Sequence, residues 1–459
     1  MDCILILPYP DEVWRRSHCR DSTPLFSIRV IKYNAGAYYK LVSDHFWKIN
    51  VDLVCPYLAG RSEVLSSIDY SKRLDDLKGL ARSLESRKAD FQEAAALDAG
   101  FPVKITSVEV ELAVQHLNTM EEEIQWLENG RPYGTVAAIF PYDAPTVMLA
   151  RLGGAALLTG NQLRFSFSSQ TPRSADLVAE IGKPLKAFQP VVGANNRAFG
   201  RGCVEDETVR VLFISGASAV GEAYRREHRA FDKLFFAGPG GMPVAVVHED
   251  ADIEAASRFI ARRAFINGGQ YCTTLKKAFI HRNLYEAVRN QILEFVGNLK
   301  VGDPLDPETD IGPIRVERTR AILERALEQC SEARLLRGGM EGELVFPLVL
   351  EMDMGKIPDL ELFGPFLVLS PFQDEEALAQ ELIQTKYGFL LAFFGSPTEP
   401  TREAFQAHFG MVYDNPDFLF TPLRLPFGGK KDSGWILERQ GDRWIERDGA
   451  FQYTKELVK

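Results

Sequence analysis

From about residue 69 the chain switches repeatedly between helical hydrophobic spacing and short unbroken apolar runs. In DYSKRLDDLKGLARSLESRKADFQEAAALDAG (69–100), Leu74, Leu77, Leu80 and Leu84 recur at helical spacing, and Gly100 before Pro102 marks a stop. A second helical pattern covers 105–127, and GRPYGTVAAIFP (130–141) reads as a turn followed by a β-rich run. VLFIS (211–215), KLFFA (233–237), VAVV (244–247), FLVLS (366–370) and FLLAFF (389–394) have the character of buried strands. Helical patterns at about 252–266, 283–297 and 317–336 lie among them. Strands interleaved with helices predict an α/β fold with mostly parallel sheets. Residues 1–60 break this order: they are rich in aromatics, among them Tyr9, Trp14, Tyr33 and Trp47, and show no period. They stand apart as a divergent N-terminal segment.

Composition narrows the class without naming it. The 459 residues allow about three structural units, and 46% hydrophobic with 25% charged residues is ordinary globular usage. A net charge of −10 argues against nucleic acid and against anionic membrane surfaces, both of which reward clustered Lys and Arg. No apolar run reaches the ~18 residues of a membrane span. The opening MDCILILPYPDEVWRR places an acid before its apolar stretch and breaks at Pro8, a poor secretory signal. The six cysteines form no CxxC pair, so reduced thiols in the cytoplasm are expected and a structural zinc site is not.

The cysteines then divide. Cys330 falls on an apolar helix face with Ile322, Leu323 and Ala326, and Cys203 follows a probable loop; neither carries a chemical signal. Cys272, in INGGQYCTTLKKAFI, follows Gly268 and Gly269 between a helical pattern and an apolar run, where a loop can present a thiol to a cleft. Lys276 and Lys277 would favour its thiolate. Spacing alone still leaves a core thiol as the commoner role. The seven histidines show no metal spacing, and the acids of HEDADIE (248–254) read as helix caps rather than ligands. Gly216, between VLFIS and a helix predicted at Val220–Arg226, is a candidate phosphate cradle without a glycine fingerprint.

In order along the chain these pieces resemble the NAD(P)-dependent aldehyde dehydrogenase superfamily, over about residues 70–455. GRPYGTVAAIFPYDAP (130–145) is similar to the family's segment ending in PWNFP, and GGAALLTGN (153–161) and SSQTPRSA (168–175) to the stretch that follows. ISGASAVG (214–221) resembles the cofactor-phosphate turn FTGSTEVG. HEDADIEAA (248–256) leading into NGGQYC (267–272) resembles the approach to the nucleophile loop. VGDPLDPETDIGPI (301–314), ELFGPF (361–366) and PFGGKKDSG (426–434) complete the series.

The resemblance implies a Rossmann-type cofactor domain, an α/β catalytic domain and a small oligomerisation element. The boundaries expected are 61–240 for NAD(P) binding, interrupted near 121–135 by a shortened oligomerisation hairpin, 241–425 for catalysis, and 426–459 for a return segment and oligomerisation strand. It makes Cys272 the nucleophile that attacks the aldehyde, giving a thiohemiacetal and then a thioester. It places Glu361 at the nicotinamide ribose, Phe363 by the nicotinamide ring, and Ile139, Pro141, Gly216 and Ala217 along the cofactor cleft. A small aldehyde as substrate, no metal, and a homodimer with the tetramer less secure complete the expectations.

Several positions depart from the family pattern. The oxyanion-binding Asn is Asp143, repulsive to a developing alkoxide when ionised and a donor only if burial keeps it protonated. The general-base Glu of the hydrolytic members is Ala237, and no carboxylate occurs from Lys233 to His248. Members that acylate coenzyme A lack the same Glu, so release to coenzyme A is slightly favoured over release to water, although NGGQYC resembles the hydrolytic branch. Ser166 and Ser169 replace the lysine and the acid at the adenosine ribose, and with Arg164 nearby the choice between NAD and NADP stays open. The rival reading is a pseudoenzyme that keeps the fold and cofactor binding.

Overall fold

Gly100 stops the second of three N-terminal helices. These are α1 (Ser71–Ser86), α2 (Lys88–Ala99) and α3 (Val103–Thr119), and Gly100 caps α2 in a left-handed conformation at φ 78°. The computed structural model describes residues 70–127, 130–216, 218–227 and 233–459, so the N-terminal segment 1–60 and Ala217 lie outside the described residues. Leu77, Leu80, Ala81 and Leu84 form the buried face of α1, as their spacing predicts. On α3 the buried stripe is Thr106, Glu109, Val110, Ala113, His116 and Leu117, with one carboxylate in it.

A first sheet is built from β1 (Thr135–Phe140), β2 (Gln162–Phe167), β3 (Phe188–Val191), β4 (Val209–Gly216) and β5 (Leu234–Pro239), all parallel. Its order runs β5-β4-β1-β2-β3, so the winding reverses between β1 and β4. The crevice at such a reversal, beyond the carboxyl ends of the strands, is where α/β sheets bind ligands. Helices on both sides bury the unbroken apolar runs noted in the sequence.

The chain passes to a second sheet between Pro239 and Val244. It contains β6 (Val244–Val247), β7 (Lys277–His281), β8 (Arg334–Glu341), β9 (Leu344–Glu351) and β10 (Phe366–Phe372). After the short β11 (Tyr387–Gly388), β12 (Leu390–Phe394) and β13 (Met411–Asp414) complete it in the order β13-β12-β6-β7-β10-β9-β8. Only β8 is antiparallel to its neighbour. The chain then returns: β14 (Lys430–Lys431) pairs with β11, and β15 (Trp435–Gln440) adds antiparallel to β5, with β16 (Arg443–Arg447) at the edge. No helix among the described residues is long and apolar enough to cross a membrane.

The tail differs from its expected strand character. Tyr453–Glu456 is one helical turn, because Tyr453 and Leu457, four residues apart, both bury in the first core and Thr454 Oγ1 donates to Glu123.

Candidate active site

A reversal of the chain delivers Cys272. After the helix Ile253–Phe265, whose N-terminus is capped by the Asp252 carboxylate accepting from the Ala255 N–H, three consecutive residues hold left-handed backbone: Asn267, Gly268 and Gly269, at φ 53°, 59° and 67°. A Cβ at Gly269 would lie 2.1 Å from the Gly364 carbonyl oxygen, so the close approach requires glycine. The Gly364 N–H donates to the Gly269 carbonyl at 2.9 Å, and Lys276 Nζ donates to the Gly269 and Gly364 carbonyls at 2.8 and 2.6 Å. The thiol loop is thereby fastened to the 361–366 segment. The two lysines do not attend the thiol as expected: Lys276 is spent on these carbonyls and Lys277 Nζ faces Asp359 at 3.4 Å.

Cys272 opens on a cleft of about 850 Å³. Pro141, Asp143, Gly216 and Gly238 line it from the first-sheet side, and Cys272, Arg263 and Phe363 from the second. Asp143 is 6% exposed, and burial pushes its carboxyl up to about 6, while the backbone N–H groups of Asp143 and Cys272 pull it back. The carboxyl therefore faces the Cys272 amide. Burial and the Asp143 charge together push the Cys272 thiol well up, against the weaker pull of Arg151 and Arg263. An ionised Asp143 thus opposes formation of the thiolate.

The cofactor side is glycine-lined. Gly216, at φ 150°, ends β4 with open space where a Cβ would stand, and Gly240 lies so close under Glu361 and Phe363 that a Cβ there would sit 3.3 Å from Glu361 Oε1 and 3.2 Å from the Phe363 ring. Bare backbone at the sheet reversal, roofed by a carboxylate and an aromatic ring, fits a dinucleotide with its nicotinamide toward Cys272. Ile139 sits on β1 against Gly200 rather than in the cleft lining. Ser166 is fully buried, and its hydroxyl donates to Asn196 at 2.7 Å, so it offers the cleft no surface. Ser169 is exposed on the turn after β2, and Arg164 is paired with Asp206 at 2.6 Å. Ala237 is buried on β5.

Tyr271 and Phe420 line the cleft, whereas Phe418 packs edge-on against Tyr413. Among the described residues no cluster of side chains is suited to a metal.

Two cleft residues escape the sequence reading. Arg151, 6% exposed, stands in a π-helical turn (Leu149–Gly153) with its guanidinium 4.1 Å from the Phe427 ring centre. It makes no salt bridge among the described residues, although the buried Glu123 carboxylate lines a small cavity beside it and pulls on its charge, and its Nε has no hydrogen-bond partner. Arg263, by contrast, donates to the Thr273 and Leu419 carbonyls and to Thr421 Oγ1. Glu109, 3% exposed, accepts from the Tyr271 hydroxyl, and burial with the Asp143 charge raises it to about 8. Each interrupts an apolar stripe, Arg151 in LARLGGAALL and Glu109 in the inward face of α3; that interruption was the legible signal.

The model of the aldehyde dehydrogenase family matches residues 59–448. A 3-sulfolactaldehyde dehydrogenase of Priestia megaterium is 27% identical over 393 residues, covering 79% of this chain and 82% of the relative. A lactaldehyde dehydrogenase of Methanocaldococcus jannaschii is 28% identical over 408 residues, covering 83% and 87%. The solved structure of a glyceraldehyde-3-phosphate dehydrogenase from the same organism, complexed with NADP, superposes with a TM-score of 0.73 at 26% identity, covering 86% and 90%.

Proposed function

Because the chain belongs to the aldehyde dehydrogenase family and is an NAD(P)-dependent aldehyde-oxidising enzyme, we propose that it acts through Cys272 on a short aldehyde with an anionic tail. The observation that carries this reading is Arg151, a buried cation in the wall of the nucleophile's cleft that makes no salt bridge among the described residues, Glu123 acting on it only at longer range. A charge held out of water at a cost of several kcal/mol is relieved by an anion that enters with the substrate. Relatives named for sulfolactaldehyde and lactaldehyde fit a short polar substrate of this kind.

In this mechanism Arg151 holds the tail and Cys272 Sγ attacks the carbonyl carbon. The oxyanion forms beside the Cys272 amide and Asp143, which must be protonated to donate. Bound NAD(P), held along Gly216 and Gly240 under Glu361 and Phe363, supplies the hydride acceptor. The thioester left on Cys272 then needs an acceptor. Ala237 on its own favours coenzyme A, but that expectation rested on the absence of a carboxylate, and Glu109 brings one into the cleft from α3.

The test is NAD(P)H formation with aldehydes bearing sulfonate, carboxylate or no charge, with and without coenzyme A, in wild type and Cys272→Ala. The proposal expects turnover of anionic aldehydes that Cys272→Ala abolishes. Turnover surviving the substitution removes Cys272 as nucleophile, and equal use of neutral aldehydes removes the anion subsite. The Asp143 carboxyl turned on the Cys272 amide favours the second reading, a catalytically impaired protein that still binds NAD(P). Cofactor binding without turnover of any aldehyde would establish it. We take the working form as a cytoplasmic homodimer, which sedimentation of the purified chain and its localisation in cells would test.

A further inference from the structure

We propose that Glu109 is the general base that hands the Cys272-bound acyl group to water, in the role left empty by Ala237 on β5. The proposal rests on the reading of Cys272 as nucleophile, and its geometry comes from three observations. Glu109 lines the same cleft as Cys272 although it comes from α3, more than 160 residues earlier in the chain. Its Oε1 is held by the hydroxyl of Tyr271, the residue next to the nucleophile, which leaves Oε2 to accept from a water. The carboxyl also borders a second, smaller cavity where the Thr106 and Thr146 hydroxyls have no partner among the described residues.

Water attacks the thioester carbonyl carbon while Glu109 Oε2 takes one of its protons and the new C–O bond forms. The tetrahedral adduct then collapses, the C–S bond breaks, and the proton passes from Glu109 to the departing sulfur. The products are a carboxylic acid and the Cys272 thiol, with nothing consumed but the water. Burial and Asp143 set the Glu109 carboxyl near 8, close to working pH, where a base both accepts and releases a proton readily. Tyr271 and Asp143 face it directly, and Arg151, Arg263 and Cys272 share its cleft.

The test needs no cofactor. Wild type, Glu109→Gln, Glu109→Asp and Cys272→Ala are mixed with p-nitrophenyl acetate, which acylates a reactive cysteine directly. The proposal expects Glu109→Gln to release one nitrophenol per chain at the wild-type rate, then to slow about 100-fold or more. Intact mass would show one acetyl group retained, hydroxylamine would restore turnover because it needs no base, and Glu109→Asp would keep part of the rate. A merely structural Glu109 would not separate the burst from the turnover. Unchanged turnover in Glu109→Gln, or loss of burst and turnover together in both Glu109 variants, would overturn the assignment. A burst in Cys272→Ala equal to wild type would instead overturn the nucleophile reading on which it stands.

Discussion

Asp143→Asn should make the enzyme faster, by a factor set by pH. With its carboxyl at about 6, Asp143 is ionised in roughly ten of eleven molecules at pH 7, and restoring its proton there costs about 1.4 kcal/mol. The carboxylate meanwhile occupies the Cys272 amide and holds the thiol up. An amide of the same shape donates at every pH, releases the backbone N–H, and removes the charge beside sulfur. At pH 5 wild type is already mostly protonated, so the variant's advantage in acylation should be no more than a few-fold. Above pH 6 the advantage should grow about tenfold per unit, until it reaches the roughly 10²–10³-fold worth of one oxyanion donor. The assay is the rate of the nitrophenol burst from pH 5 to 8.5, with iodoacetamide alkylation in parallel to follow the thiol. The alkylation midpoint should move down in the variant. A rate ratio independent of pH, or a slower variant, would refute the argument that Asp143 acts through its charge on the Cys272 amide.

Other expectations follow from the same cleft. Arg151→Gln should raise KM for an anionic aldehyde about 10–100-fold and leave that for a neutral one nearly unchanged in steady-state assays. Glu109 is raised from 4.5 to about 8 on folding, so its ionisation penalises the folded state increasingly from pH 4.5 to 8 and fully above that. Glu109→Gln should therefore melt higher than wild type at pH 8.5 by the equivalent of a few kcal/mol, a difference that vanishes below pH 4.5 in thermal scans. Lys276→Met should lower stability by about 1.5–3 kcal/mol in denaturant titration, since it removes the ammonium's hydrogen bonds to two buried carbonyls, each of which keeps a backbone donor.

The legible part of the site was the part written in consecutive residues. Cys272, Gly216, Glu361 and Phe363 lie in short runs whose order along the chain identifies them. The cleft walls come from elsewhere, and physical reasons hid them. Glu109 reaches Tyr271 across 162 positions and Arg151 reaches Phe427 across the full catalytic half. No local spacing reports such contacts; only a charge set in an apolar stripe hints at them. Ala237 leaves β5 without a carboxyl, yet a carboxyl can enter a cleft from any element that borders it, as Glu109 does from α3. Ser166 is the opposite case. A position inherited from a motif carried the expectation of a ligand contact, but the shorter side chain turns to Asn196 and is sealed beneath the surface. The fold was clearer, because parallel strands covered on both faces leave unbroken apolar runs.

The contact between Gly269 and Gly364 bears on how such a protein drifts over evolutionary time. The distance from sulfur to the cofactor segment is fixed by main chain meeting main chain, with an ammonium bridging the two carbonyls. Side chains around that seam can be exchanged without moving it. Selection can therefore vary the side chains of the cleft walls while the thiol loop stays in register with the 361–366 segment. Substitution at Gly269 would force main chain apart at this seam, which no exchange of the surrounding side chains does.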